Sequence, residues 1–272
     1  MKACVLFLIL IATITQQQSN YITQPASTTG NSSAGISYNQ AIKEFNGYNI
    51  TAYYAWVLNP INHFRVLYPE TSNGSCGGYL FTSRRAKSEG CIYATNGGPF
   101  VMHQAEGSAT CLGNIVSDNE VVQVQSTSYM NFGLTQSGDF IMGLMQDSDI
   151  TNLQFSQLLT GFQWLAIQGA NQVTTSGGEI APRTAIGTNS AGNLFLFEAD
   201  GAEDMPNGNP KGLTLQQTAE WVLELGGYSV VNLDGGGSSV TAINGTVVNF
   251  PTCRDVDVKC QRPVTTMTCV MP

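Results

Sequence analysis

Charge is scarce in this chain: Asp, Glu, Lys and Arg together make up 11% of 272 residues, under half of the roughly 25% usual in soluble domains. Ser, Thr, Asn, Gln and Gly take over the polar role, so the surface is neutral and hydrogen-bonding. Positive charge is the scarcer sign, 11 bases against 19 acids for a net charge of -8, and the densest basic run is Arg84-Arg85-Ala86-Lys87. That balance excludes nucleic acid as a leading partner. Histidine is nearly absent, with His63 and His103 standing alone, and no C-x2-C pair occurs. A structural zinc is therefore disfavoured. A calcium loop around Glu198, Asp200, Glu203 and Asp204 lacks the alternating ligand spacing such loops need. No metal or other cofactor is expected. Neither G-x-x-x-x-G-K-[ST] nor G-x-S-x-G is present, which removes the phosphate-binding loop of nucleotide triphosphatases and the serine-hydrolase elbow. After the N-terminus no apolar run approaches the roughly 18 residues of a membrane helix.

What is there begins with Met1-Lys2, an apolar run from Ala3 to Ile14, and Gln16-Gln17-Gln18-Ser19. One positive charge before about a dozen apolar residues is the pattern of a signal peptide, expected over 1–19. The chain is then expected in the secretory lumen or outside the cell, with no membrane anchor once the signal is removed. Six cysteines follow: Cys76, Cys91, Cys111, Cys253, Cys260 and Cys269. An even number in an oxidising compartment reads as three disulfides. Cys253 and Cys260 form the natural local pair; the others either include a bridge between the two ends of the chain or pair upstream with one left over. A bridge to Cys269 would close a very long loop, worth on the order of 4 kcal/mol in the chain-entropy account. Glycosylation sequons stand at Asn31, Asn49, Asn73 and Asn244, about as many as composition alone supplies.

Residues 20–45 are rich in Ser, Thr, Gln and Gly without clear apolar periodicity, and are expected to form a flexible leader. A single domain is expected over 46–272. Its strands are read at 51–58, 64–68, 91–95, 121–124, 140–144, 162–167, 184–187, 193–197, 229–233, 240–243, 246–250 and 265–270, from β-branched and aromatic runs. A short helix at 155–159 is a weaker possibility. The clear helix runs from about 214 to 225: Thr214 and Gln217 form a capping box, Leu215, Ala219, Val222 and Leu223 make one stripe, and Gly226-Gly227 ends it. The fold class is α+β, a strand-rich single domain with this helix packed on a mixed β-sheet and stapled by disulfides.

Glycine marks three chemistry-bearing segments, each beside an apolar strand. Asp234 ends the strand 229–233 and is followed by Gly235, Gly236, Gly237, Ser238 and Ser239. Consecutive glycines between strands imply a tight path or a ligand against the main chain, and their N–H groups suit a phosphate-cradling nest. The plainer alternative is a flexible turn. Asn96, Gly97 and Gly98 end a second strand, where an ordinary Asn-Gly turn is the alternative. Arg183 opens a third segment with Thr184; no other basic residue lies between Lys87 and Lys211. A lone arginine after Pro182 suits bidentate recognition of a phosphate, against the plain alternative of a surface salt bridge. Glu198 and Asp200 alternate onto one face and could act as a base or carboxylate pair.

Together these segments resemble the phosphodiester glycosidase family, over roughly Cys76 to the C-terminus. The resemblance rests on Asn96-Gly97-Gly98, Cys111-Leu-Gly-Asn114, Val116-Ser117-Asp118, Arg183-Thr184-Ala185-Ile186-Gly187, Asp200-Gly201 and above all Asn232-Leu233-Asp234-Gly235-Gly236-Gly237-Ser238. Asn244-Gly245-Thr246 and the tail Cys253, Cys260, Arg262-Pro263, Cys269 look like the animal branch. Pro99 stands where the family usually has an aromatic residue, and Glu198 where the animal branch looks to have histidine. The resemblance implies hydrolysis of a GlcNAc-α-1-phospho-mannose diester, a phosphorylated glycan. Asp234, Asp200, Arg183 and Asn96 are then the expected catalytic residues. Gly97, Gly98, Thr184, Glu198, Gly235, Gly236, Gly237, Ser238 and Ser239 are expected against substrate. The leaving phosphomonoester has a second pKa near 6, so it needs cationic or N–H-rich surroundings and one carboxylate rather than a strong general acid. Two other readings stand beside this one: a phosphodiesterase cutting P–O, and a sugar-phosphate-binding protein without turnover.

Overall fold

The computed structural model of the chain describes residues 20–28, 32–69, 76–103 and 107–272. The expected signal peptide and the sequons at Asn31 and Asn73 lie outside the described residues. Three sheets carry the fold. The seven-stranded sheet runs Ala170–Asn171, Trp164–Ile167, Ser229–Asn232, Arg183–Thr188, Leu194–Ala199, Tyr48–Val57, Ile36–Phe45 from edge to edge. A six-stranded sheet begins with Asn20–Pro25 and Asp139–Leu144, and a five-stranded sheet has Tyr93–Asn96 at its centre between Thr241–Ile243 and Met267–Val270. Neighbouring strands in each are antiparallel, so the sheets are not the mixed kind expected.

The central strands Arg183–Thr188 and Leu194–Ala199 are buried at every position, because both faces of their sheet are covered. With side chains alternating in direction, Ile186, Leu196 and Val231 point into the core shared with the other two sheets. Ala185, Phe195, Phe197 and Val230 point the other way, against helix Leu215–Glu224. Trp221 anchors that helix, its ring 5.1 Å from Phe45 and 5.8 Å from Phe197. The capping box forms as read: Thr214 Oγ1 accepts from the Gln217 N–H at 3.2 Å and Gln217 Oε1 from the Thr214 N–H at 2.9 Å. Such a cap contributes about 1 kcal/mol, and it fixes where the preceding residue, Leu213, presents its carbonyl.

Two further helices, Thr82–Glu89 and Asp147–Asn152, went unread because they are short and mostly polar. The weak helix at 155–159 is instead strand Phe155–Thr160, paired on both sides. The flexible leader is also corrected. Asn20–Pro25 pairs along its length with Asp139–Leu144, and Ile36–Phe45 forms a hairpin with Tyr48–Val57, ten residues on each strand. Its polar composition belongs to an edge strand with a wet outer face. The disulfides are Cys76–Cys111, Cys91–Cys269 and Cys253–Cys260. The second spans 178 residues and ties strand Met267–Val270 to the turn after Thr82–Glu89.

Candidate active site

Strand Ser229–Asn232 delivers the chain to Asp234 at the edge of a cavity of about 400 Å³. Four backbone segments are hydrogen-bonded together beneath it. Ala181 pairs with Leu213 in both directions, the Gly236 N–H donates to the Pro182 carbonyl at 2.9 Å, and the Asp234 N–H donates to the Gly97 carbonyl at 3.2 Å. The widely separated motifs therefore meet.

Arg183 lines this cavity with Asp234, as the sequence suggested. Its Nε donates to the Leu213 carbonyl at 2.9 Å, its Nη2 donates to the Glu179 carbonyl, and Nη1 stands 3.6 Å from the Glu179 carboxylate. Burial pulls its pKa below the ordinary value, with Glu179 and Glu203 opposing; a guanidinium stays charged regardless. It is not solitary. Arg262 lines the same cavity, with Nη2 donating to both Asp255 carboxylate oxygens at 2.8 and 2.9 Å and Nε to the Cys253 carbonyl at 3.0 Å. The Cys253–Cys260 loop is thus a wall of the site. Glu179, Glu203 and Asp255 complete the charged lining. Arg262 entered the sequence reading only through its tail motif, and Glu203 only through a calcium loop. The local disulfide, which folds Asp255 and Arg262 together, was the available signal.

Asp234 carries the most informative ionisation. Burial pushes its carboxyl up to about 6, opposed by the Ser238 hydroxyl, the Arg262 charge and the Gly235 N–H. A carboxylate poised there exchanges protons near physiological pH. Burial also raises Glu203, with Asp255 and Glu179 adding to the shift. Asn232, beside Asp234 in the lining, has a buried Oδ1 with no hydrogen-bond partner among the described residues.

Several expected contacts are relocated. The glycine loop is not an open N–H nest: Gly236 donates to Pro182, Gly237 to Asp255 Oδ1 at 3.0 Å, Ser238 to the Gly235 carbonyl and Ser239 to the Gly236 carbonyl. Gly236 has φ +55°, and a Cβ there would collide with Glu203; a Cβ on Gly237 would collide with Arg262. These glycines let charged side chains close over the loop. Gly235 and Gly236 line the cavity, while Gly237, Ser238 and Ser239 sit below.

Asn96 is fully buried. Its Nδ2 donates to the Asp234 carbonyl at 2.7 Å, and its Oδ1 accepts from Thr184 Oγ1 at 2.9 Å and the Val240 N–H at 3.1 Å. Fully buried and outside the cavity lining, it is tied to the Asp234 backbone and holds it in place. Thr184, equally buried, serves the same clamp. Gly97 and Gly98 are glycines because Thr266 and the Thr160 backbone leave no room for a Cβ. They pack strands together and do not face the cavity.

Glu198 and Asp200 do share a face, yet outside this cavity's lining. Asn249 Nδ2 bridges them, at 2.9 Å from Glu198 and 3.3 Å from Asp200, and the Phe250 N–H donates to Asp200 Oδ1 at 2.8 Å. Burial raises both carboxyls, Glu198 well above the ordinary value, where the Asp200 charge adds to the shift. They form a buried polar cluster between the seven- and five-stranded sheets.

Comparisons with known proteins give the family. A family model described as phosphodiester glycosidase matches residues 89–271. The N-acetylglucosamine-1-phosphodiester alpha-N-acetylglucosaminidase of Homo sapiens is 30% identical over 270 residues, covering 90% of this chain and 50% of its own length. The Mus musculus enzyme of the same name is 32% identical over 269 residues, covering 87% and 49%. The chain therefore spans about half the length of these relatives. Among solved structures, the zebrafish catalytic domain of that enzyme, auto-inhibited by its pro-peptide, superposes with a TM-score of 0.81 at 27% identity, over 93% of this chain and 89% of that one. A hypothetical protein from Synechocystis shares the fold, with a TM-score of 0.61 at 14% identity over 87% and 62%.

Proposed function

The chain belongs to the phosphodiester glycosidase family, and we propose that its cavity hydrolyses the glycosidic bond of a GlcNAc-α-1-phospho-mannose diester, releasing GlcNAc and exposing mannose 6-phosphate. One observation carries the reading: Asp234, Arg183 and Arg262 converge on one cavity.

In this account the phosphodiester, a monoanion, lies between the two guanidinium tips, which stabilise the charge that gathers on the phosphate as its bond to the sugar lengthens. Ionised Asp234 takes a proton from the attacking water, or stabilises the oxocarbenium-like sugar centre directly. The C1–O bond breaks, its electron pair stays on the phosphate oxygen, and the water oxygen ends on C1. Asn96 is a positioning residue, acting through the Asp234 backbone. Asp200 and Glu198 take no part in the step, being turned into their own cluster with Asn249.

Three disulfides fit an oxidising compartment, and the secretory lumen or extracellular space is the proposed location. Asn49 and Asn244 are exposed, so both sequons are proposed as glycosylated. No helix among the described residues is long and apolar enough to cross a membrane.

Product analysis on a synthetic GlcNAc-1-phospho-mannose diester tests the proposal. Free GlcNAc and mannose 6-phosphate in equal amounts are expected. Tight binding of the diester with no product would leave a sugar-phosphate-binding protein instead.

A further inference from the structure

Each guanidinium in the cavity already has a carboxylate of its own. Glu179 stands by Arg183, and Asp255 is bound to Arg262 through both carboxylate oxygens. Asp255 is held to this task from three directions. Its carboxylate also accepts the Gly237 N–H at 3.0 Å, its backbone sits in the left-handed region with φ +65°, and its carbonyl accepts from the Asp204 N–H at 2.8 Å. The Cys253–Cys260 disulfide closes the loop that carries it. Two positive charges are thus matched by two negative ones before Glu203 and Asp234, also in the lining, are counted.

A lining so balanced still offers donors, because Arg183 Nη1 and Arg262 Nη1 are not taken up by hydrogen bonds to the chain among the described residues. Those donors meet the charge that builds up on the phosphate during cleavage, but there is no surplus positive charge to retain a full second negative charge once the bond has broken. We propose that Asp255 sets the specificity of the site for monoanionic phosphodiesters against dianionic phosphomonoesters, so that the cavity accepts its substrate and expels its phosphorylated product. This rests on the assignment of the cavity to a phosphodiester. Hydrolysis turns one negative charge on phosphorus into nearly two at neutral pH. Asp255 then repels the product at short range, where one charge pair outweighs the loss of a hydrogen bond. A plain salt bridge that only braces the loop would give no such discrimination.

The test is a binding measurement at a single pH of 7.5. Calorimetry compares dimethyl phosphate with mannose 6-phosphate on the full chain, with GlcNAc release from the diester measured in parallel. For the wild type, the diester should bind at least about tenfold tighter than the monoester, the size of one screened charge contact. In Asp255→Asn the monoester should tighten about tenfold or more while the diester moves far less. Glu203→Gln, which removes a lining charge without touching the disulfide loop, should shift the ratio the same way and serves if Asp255→Asn does not fold. An unchanged ratio in the folded variants, or a wild type that prefers the monoester, overturns the inference; with GlcNAc release intact, the family reaction survives that failure. Absence of both binding and GlcNAc release would overturn the cavity assignment itself and the inference with it.

Discussion

Asp234→Asn should lower kcat on the GlcNAc-1-phosphodiester about a thousandfold, within the range measured for losing a positioned base. Asn keeps the shape and the backbone contacts to Asn96 and Gly97, so the loss reports on the carboxylate. Two pH measurements sharpen the result. Wild-type kcat/KM should climb from pH 5 to pH 7 with its midpoint near the Asp234 pKa of about 6, and the residual rate of the variant should lack that step. Stability should move the other way. A carboxyl raised from 3.8 to about 6 holds its proton more tightly folded than unfolded. Its contribution is therefore complete below pH 4 and lost as pH rises through 6. Above pH 7 the Asn variant should be more stable by about 1–2 kcal/mol, allowing for the part of Asp234 that solvent reaches, and at pH 4 it should show no gain. Melting curves at the two pH values would reveal it; a variant less stable at both would mean the carboxylate is well accommodated and the site is not strained for chemistry.

Arg183→Ala should cost about a hundred- to a thousandfold in kcat/KM, the effect of deleting one donor to developing negative charge. The Ala variant also takes one of two donors from the Leu213 carbonyl, which keeps the Ala181 N–H, and the side-chain donor from the Glu179 carbonyl, so its melting temperature should fall too. Arg183→Lys separates charge from geometry: it keeps the positive end, cannot reach Leu213 and phosphate at once, and should recover only part of the rate. Full activity in the Lys variant would reduce Arg183 to a generic charge, and full activity in the Ala variant would remove it from the reaction.

Local signals carried much of this molecule. The helix Leu215–Glu224 was legible because its cap, stripe and glycine stop are all near neighbours in sequence. The place of Asp234 in a cavity lining was legible because a carboxylate between an apolar strand and three glycines has few structural excuses. Strand Phe155–Thr160 misled because a strand buried on both faces shows no alternation. The hairpin hidden in the expected leader turns at Asn46-Gly47, both with positive φ and flanked by Phe45 and Tyr48, a dipeptide that signals such a turn in the sequence. The site was legible in part only. Glycines mean either a ligand or a crowding neighbour, and at Gly97, Gly98 and Gly237 the neighbour is Thr266, Thr160 and Arg262. No spacing rule says which. Likewise Glu198 and Asp200 show the right alternation for a pair, but the sheet that covers them is formed by strands more than forty residues away.

Hydrolysis in ¹⁸O-labelled water bears most directly on the claim that this cavity breaks a glycosidic bond. The account predicts heavy oxygen on C1 of the released GlcNAc and none in mannose 6-phosphate. Heavy oxygen in the phosphate would mean that water attacks phosphorus, and the roles given to Asp234 and the two arginines would have to be abandoned.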